Sequence, residues 1–196
     1  MSNVKIAIIY HSKYGHTKAQ AEAVYAGVAA VEGVEARLLT TEEAIAAIDS
    51  LDSCHAMIFG SPTYMGNMSA DMKKFIEASV TKWGKRTWQD KIAGGFTNSA
   101  NFFGDKFNAL VGLMTFAMQQ GMIWVGINDL AGSNERNALK TAQGPGPDAL
   151  NRVSASIGPI ACSFEVKAPD TPPKGDIETA RNYGRRIAEI TKRFNR

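Results

Sequence analysis

The stretch VKIAIIYHSKYGHT, residues 4–17, decides how this chain folds. Its first half, Val4–Tyr10, is an almost unbroken apolar run, which is typical of a strand covered on both faces. Its second half is short, polar and glycine-containing, and it leads into a helix predicted over residues 17–31. The stretch therefore predicts an inner strand of a parallel sheet, a short loop and a crossover helix.

The same alternation of strand and helix continues along the rest of the chain. Further strands are predicted over residues 34–39, 56–60, 92–97 and 122–125. Further helices are predicted over 41–48, 69–79 and 176–194, and one begins near Phe107. Together these elements predict one α/β domain over residues 1–196, with a doubly wound, five-stranded parallel sheet and helices on both faces. A long irregular excursion, residues 126–173, contains the proline and glycine breakers.

The composition is that of an ordinary globular protein. The chain has 196 residues, of which 44% are hydrophobic and 21% charged, and this excludes a disordered chain or a disulfide scaffold. Its formal net charge of +3 is too small to indicate a nucleic-acid partner. Cys54 and Cys162 are far apart and lack zinc spacing, and no secretory signal opens the sequence. A reducing compartment, the cytoplasm, is expected.

Neither a membrane span nor a metal site is predicted. The uncharged residues 107–128 include Gln119, Gln120 and three glycines, and their apolar side chains share one helical face. That pattern indicates a buried helix followed by a strand. The first aspartate of the chain is Asp49, so the loop after the first strand has almost no ligands for a magnesium-dependent phosphoryl transfer.

The loops that follow the strands, here called the strand exits, indicate function, because ligands of such sheets bind beyond the carboxyl ends of the strands. The first exit contains Ser12, Gly15 and Thr17, and the helix that starts there has no acidic residue before Glu22. A helix start of this kind can hold a phosphate through free N–H groups and its positive dipole end. An ordinary capped turn is the alternative reading. No Walker A or G-x-G-x-x-G motif occurs.

Two further exits supply aromatic and amide groups. The third strand is followed by Pro62, Tyr64 and Gly66, and the fourth by the polar and aromatic residues 98–103. Alternatively, the third exit is only a rigid surface loop, and Phe102 and Phe103 are only core residues. A phosphate pocket beside flat side chains and exposed amides describes a site for a planar ring with a phosphate tail, namely FMN.

These residues resemble the flavodoxin-like superfamily, and most closely the NAD(P)H:quinone oxidoreductases of the WrbA type. The matching motifs are Ser12-x-Tyr14-Gly15-His16, Pro62-Thr63-x-x-Gly66-Asn67-Met68-Ser69, Trp83, Lys91-x-Ala93 with Phe96, and Gly121-Met122. The resemblance covers residues 4–125 and the final helix. It implies the flavodoxin strand order 2-1-3-4-5.

The resemblance also implies roles for residues. The FMN phosphate would be held by Ser12, Tyr14, Gly15, His16 and Thr17. The ring would be lined by Pro62, Thr63, Tyr64, Met65 and Gly66, and its polar edge would meet Asn98, Ser99, Ala100, Asn101, Phe102 and Phe103. Tyr14 would also contact the nicotinamide nucleotide, Trp83 would border the quinone pocket, and Gln120 stands where the family has a histidine that reaches a neighbouring subunit's flavin.

Three departures from the family pattern stand out. Tyr64 replaces an arginine, residues 98–103 are not glycine-rich, and Gln120 replaces the histidine. The expected function is an FMN-dependent oxidoreductase that carries a hydride from NAD(P)H to a quinone-like acceptor, as a homo-dimer or homo-tetramer. The alternatives are a flavodoxin-type electron carrier, which the positive net charge disfavours, and a flavin-free relative.

Overall fold

A computed structural model describes residues 4–136, 138 and 140–195 of the chain. Its strands are β1 (Val4–Tyr10), β2 (Val34–Thr40), β3 (Ala56–Tyr64), β4 (Asn67–Met68), β5 (Ile92–Ser99), β6 (Ile123–Trp124) and β7 (Ile160–Cys162). The sheet contains five strand positions in the order β2-β1-β3-β5-β6, which confirms the predicted order. Among the described residues only β4 is antiparallel, forming a short hairpin with β3. The prediction of a single domain over residues 1–196 stays a prediction, and residues 1–3, 137, 139 and 196 lie outside the described part.

The helices lie close to their predicted positions, except for a short helix over Val80–Gly84 that the sequence did not predict. They are α1 (His16–Ala29), α2 (Thr41–Ala46), α3 (Ala70–Ala78), α4 (Val80–Gly84), α5 (Lys106–Gln119) and α6 (Lys174–Phe194), with a 3-10 helix over Ile48–Ser53. The predicted helix 41–48 ends early and continues as that 3-10 helix. Strands β3 and β5 are longer than predicted, because their last residues pair with each other as far as Pro62 and Asn98. None of the helices in the described part is long and apolar enough to cross a membrane.

The apolar core lies on both faces of the sheet. On one face α1 and α6 pack on β1 and β5, with Val24, Val28, Phe96, Tyr183 and Ile187 at the centre. On the other face the helices α3 and α5 bring an aromatic cluster against β3, and that cluster contains Phe59, Phe75, Trp88 and Phe116. Residues of β1 therefore alternate between two cores, as the apolar run predicts for an inner strand.

The fifth strand position is occupied by two separate pieces of chain. Strand β6 pairs with the start of β5, at Ile92 and Ala93, whereas β7 pairs with its end, at Thr97, Asn98 and Ser99. The chain leaves the sheet after β6 and returns within the predicted irregular excursion to form β7. The sequence did not predict β7. Its consequence is that residues 163–168 emerge at the carboxyl edge of the sheet.

Candidate functional site

A cavity of about 710 Å³ lies at the carboxyl edge of the sheet. It is bounded by the exits of β1, β3 and β5, as the sequence predicts, and by the chain that follows β7. Its lining consists of Ser12, Tyr14, His16, Thr17, Pro62, Thr63, Tyr64, Asn98, Ser99, Ala100, Ser163, Glu165, Val166, Lys167 and Ala168. The volume and the concave shape are those of a site for a small molecule.

One end of the cavity is formed by the start of α1. Gly15 precedes the helix in a left-handed conformation with φ 91°, and its N–H donates to Ser12 Oγ at 3.1 Å. The first backbone bond of the helix runs from Ala19 N–H to the Gly15 carbonyl. The N–H groups of His16, Thr17 and Lys18 find no acceptor within the described residues, and the first turn carries no acid. Free donors and a positive dipole end are the features with which a helix start holds an anion.

The inner wall of the cavity is polar and tightly packed. Thr63 Oγ1 and Thr97 Oγ1 share a hydrogen bond of 2.8 Å between the ends of β3 and β5. Next to them Asn98 is only 4% exposed, and its Nδ2 has no hydrogen-bond partner within the described part of the chain. Because an unpaired buried amide costs free energy, this donor points to a ligand that accepts a hydrogen bond here.

The mouth of the cavity is aromatic. Tyr14 is 63% exposed and meets the Tyr64 ring edge-to-face, with 6.4 Å between centroids. Lys13 Nζ lies 5.5 Å from the centre of the Tyr14 ring. Partial burial raises the pKa of Tyr64, so its phenol stays neutral at physiological pH. Flat, uncharged rings at an open mouth suit a flat ligand that enters and leaves.

The fourth wall is the segment 163–168, which sequence reasoning missed. Ser163 and Phe164 donate their N–H groups to the carbonyls of Ser99 and Ala100, at 3.0 and 2.8 Å. His16 Nε2 donates to the Val166 carbonyl at 2.8 Å and joins the segment to α1. The short apolar run Ile160-Ala161-Cys162 before the segment was the available signal for a returning strand. The run is only three residues long and lies within the irregular excursion, so it was not predicted to be a strand.

Six of the predicted cofactor residues do not line the cavity. They are Gly15, Met65, Gly66, Asn101, Phe102 and Phe103. Met65 is fully exposed at the tip of the β3–β4 hairpin, and Phe103 is 76% exposed. Phe102 packs on Phe164 instead, with ring centroids 4.9 Å apart. Met65 and Gly66 form the turn of the β3–β4 hairpin with positive φ values of 47° and 77°.

Trp83 and Gln120 lie together in a second cavity of about 390 Å³, which shares no lining residue with the first. Gln120 is buried there and donates from Nε2 to Ser79 Oγ at 2.9 Å. Helix α5 starts at the carboxyl edge and spans about 21 Å over its 14 residues, so Gln120 at its end lies near the opposite edge. Within one chain, then, neither side chain borders the cavity that Tyr14 lines.

The residues of the first cavity fit FMN. The free N–H groups of α1 match a phosphate, and the unpaired Nδ2 of Asn98 matches the polar edge of a flavin ring. Tyr64 and Pro62 offer a flat apolar surface between these two ends. The described residues contain no group of His, Cys, Asp and Glu side chains that could hold a metal ion.

Comparisons with known proteins show which family the chain belongs to. The model of the family described as "NADPH-dependent FMN reductase" matches residues 32–136. The chain is 38% identical to "Flavodoxin FldP" of Pseudomonas aeruginosa, over 97% of this chain and 98% of the relative. It is 30% identical to an "NAD(P)H dehydrogenase (quinone)" of Geobacter sulfurreducens, over 98% and 100% of the two chains.

Among solved structures, a "flavodoxin, WrbA-like protein" from Agrobacterium tumefaciens superimposes with a TM-score of 0.70 at 35% identity, covering 97% of this chain and 99% of that one. The fold and the cavity thus define a flavodoxin-like, flavin-binding class of protein. The chain belongs to the NADPH-dependent FMN reductase family within it, and it is an FMN-dependent oxidoreductase. The expected likeness to WrbA-type proteins is confirmed.

Proposed function

We propose that this protein is an NAD(P)H:quinone oxidoreductase in which the nucleotide and a quinone-like acceptor use the same aromatic mouth in turn. The observation that carries the proposal is the exposed Tyr14 ring beside Tyr64 at the opening of the flavin cavity. The quinone reductase from Geobacter sulfurreducens, which aligns over the whole of its length, supports it. Both substrates are flat, and an aromatic wall favours each by about 0.5–1.5 kcal/mol.

The side chains and backbone of the cavity bind and orient rather than react. Bound FMN supplies the chemistry, since it accepts a hydride and releases two electrons. The α1 backbone would hold its phosphate, with Ser12 and Thr17 adding hydroxyl groups. Asn98 would donate to the ring edge, and Tyr14 would stack on the nicotinamide. No acid–base pair or nucleophile from the chain is required.

The six cofactor residues outside the lining remain part of the proposed site as its rim. The proposed role of Trp83 and Gln120 requires a second copy of the chain, since both lie away from the cavity of their own chain. A homo-dimer or homo-tetramer would allow these two residues to complete a neighbour's mouth. Nucleic acid, a membrane and a metal ion have no part in the proposal.

An electron carrier for a protein partner is the second candidate. The 38% identical relative is named a flavodoxin, and the rim of this cavity exposes apolar side chains, Met65 and Phe103 above all. Such a rim suits a protein surface. The net charge of +3 is less favourable, because it provides no negative field to steer a basic partner.

The two candidates are separated by steady-state oxidation of NADH and NADPH with a panel of quinones. We expect the protein to reduce benzoquinone, and Tyr14→Ala to lower kcat/KM for the nucleotide about tenfold, which corresponds to about 1.4 kcal/mol. FMN affinity should change less, because backbone groups hold the phosphate. Tyr25→Ala is the matched control, since Tyr25 is partly exposed on α1 but does not line the cavity. Unchanged nucleotide turnover in Tyr14→Ala would favour the carrier.

A further inference from the structure

A cluster of buried charged side chains lies directly behind the wall of the flavin cavity. Its first member is Lys106, the first residue of α5, which is completely buried. Lys106 Nζ donates to Ser99 Oγ at 3.0 Å and to the carbonyl of Asn101. Ser99 lines the cavity, so the ammonium group stands one residue behind the cavity surface.

The other members of the cluster are Arg152 and Asp176. Asp176 is 2% exposed, and its two carboxylate oxygens accept from Arg152 Nε and from the Cys162 N–H, each at 2.9 Å. The Arg152 guanidinium lies 5.4 Å from the ring of Phe102 and 5.2 Å from that of Phe164. The cluster therefore joins the loop after β5 to the chain after β7, which are two walls of the same cavity.

The cluster contains two basic side chains, Lys106 and Arg152, and one acidic side chain, Asp176. Burial lowers the pKa of Lys106 and raises that of Asp176, and the neighbouring opposite charges partly offset both shifts. Burial raises the pKa of the neighbouring Cys162, so its thiol is neutral. The formal charge of the cluster is therefore positive, with two basic groups and one carboxyl group. The charged groups that line the cavity itself, Glu165 and Lys167, carry opposite charges.

We propose that this buried cluster, with Lys106 as its main positioning residue, raises the redox potential of bound FMN by stabilising the reduced flavin. The inference rests on the proposed placement of the flavin edge against Asn98, Ser99 and Ala100. Reduction adds negative charge to the ring, and a positive charge in a poorly solvated wall is weakly screened. Lys106 also holds the β5 exit in place through Ser99 and Asn101.

Charge and positioning are separated by two variants of opposite expected sign. Lys106→Gln keeps N–H donors for the loop but removes the charge, and it should weaken the preference for reduced over oxidised FMN about tenfold. For two electrons this corresponds to a potential about 30 mV lower. Asp176→Asn removes the negative charge and should shift the potential upward. The potential is measured by equilibration with a reference dye, and FMN affinity by fluorescence titration.

Lys91→Gln is the matched control. Lys91 is another partly buried lysine that donates to backbone carbonyls, those of Asp52 and Cys54, but it precedes β5 at the opposite edge of the sheet. Its replacement should leave the potential unchanged. Lys106→Arg, which keeps the charge, should keep a potential close to that of the unaltered protein.

The outcomes are distinct. If Lys106→Gln weakens both redox forms of FMN equally, the potential does not move, Lys106 is purely structural and the proposal is overturned. A fall in potential that also occurs in Lys91→Gln would overturn it as well. Should Lys106→Gln fail to fold, the upward shift in Asp176→Asn decides the question alone. If the unaltered protein binds no FMN, the proposed function itself fails.

Discussion

Gly15, just outside the lining of the cavity, and Asn98, which lines it, show how single positions define a ligand site. Gly15 has φ 91°, and a Cβ atom built there would lie 3.0 Å from Ala168 Cβ. Asn98 is buried with a donor that no neighbour accepts. A side chain at position 15 would crowd Ala168, and the Nδ2 of Asn98 has no acceptor within the described residues. A bound ligand would account for both features.

We expect Gly15→Val to weaken FMN binding more than tenfold while leaving a folded protein. A β-branched residue at this φ costs about 1–2 kcal/mol, and its side chain would push against Ala168 at the phosphate end of the cavity. Gly144→Val is the control, because Gly144 has φ 73° but nothing within 4 Å of its Cβ position. Titration with FMN and thermal unfolding measure both. Full FMN affinity in Gly15→Val would show that the phosphate lies elsewhere.

Asn98→Leu should separate stability from binding. Removing an unpaired buried amide should leave the free energy of unfolding of the flavin-free protein unchanged or raise it, whereas FMN affinity should fall about tenfold. Gln20→Leu is matched to it, since Gln20 is also buried with an unpaired oxygen but does not line the cavity. That variant should bind FMN normally. Equal FMN affinity in Asn98→Leu would remove Asn98 from the site.

At the scale of elements, the crossing of α1 and α6 depends on two glycines. A Cβ on Gly27 would lie 1.9 Å from the Arg181 carbonyl oxygen, and one on Gly184 would lie 2.1 Å from the Val24 carbonyl oxygen. The two helix backbones therefore touch directly. This close packing fixes the height of α1 on the sheet, and so the position of its free N–H groups in the cavity.

Gly184→Ala should destabilise the protein by about 2–3 kcal/mol, since the methyl group meets backbone atoms that cannot rotate away. Gly84→Ala is the control. Gly84 ends α4 with nothing within 4 Å of its Cβ position, so alanine there should be neutral or stabilising by up to about 1 kcal/mol. Urea unfolding of the flavin-free proteins gives both values. A loss below 0.5 kcal/mol in Gly184→Ala would contradict the close helix crossing.

At the scale of the whole molecule, the cavity exists because four chain segments reach one edge of the sheet together. Three of the segments follow β1, β3 and β5, and the fourth follows β7, which the chain forms after the irregular excursion. The fourth segment closes the phosphate end, where Ala168 faces Gly15 and Val166 accepts from His16. We therefore expect the phosphate to be the terminal group of a ligand bound here.

This closure predicts a preference for FMN over FAD. FMN at a hundred times its dissociation constant should stabilise the fold by about 2.7 kcal/mol through mass action. FAD at the same concentration should stabilise it much less, because Ala168 lies against Gly15 and Val166 is bonded to His16, where the adenylate would have to pass. Thermal melts with each flavin measure the difference. Equal shifts for both flavins would show that the closed end opens or that the phosphate binds elsewhere.

Most of the strand and helix order follows from local patterns in the sequence. The apolar runs of β1, β3 and β5 and the amphipathic α6 have periods that a single stretch reveals. The polar exits of those strands were predicted to meet, since parallel strands end at one edge. Ser12, Tyr14, Thr63 and Asn98 do line one cavity. Met65 and Phe103 were harder to place, because a turn decides on which side of the backbone each side chain emerges.

The sequence by itself determined the alternation of the main strands and helices, the polar start of α1 and the likeness to flavin proteins, because each depends on residues close together in the chain. Only the tertiary structure decided which distant segments meet. It brought residues 163–168 into the cavity through the pairing of β7 with β5, placed Trp83 and Gln120 at a separate cavity, and gathered Lys106, Arg152 and Asp176 behind the wall. Contacts of this kind arise from packing across the whole sheet, and no local pattern records them.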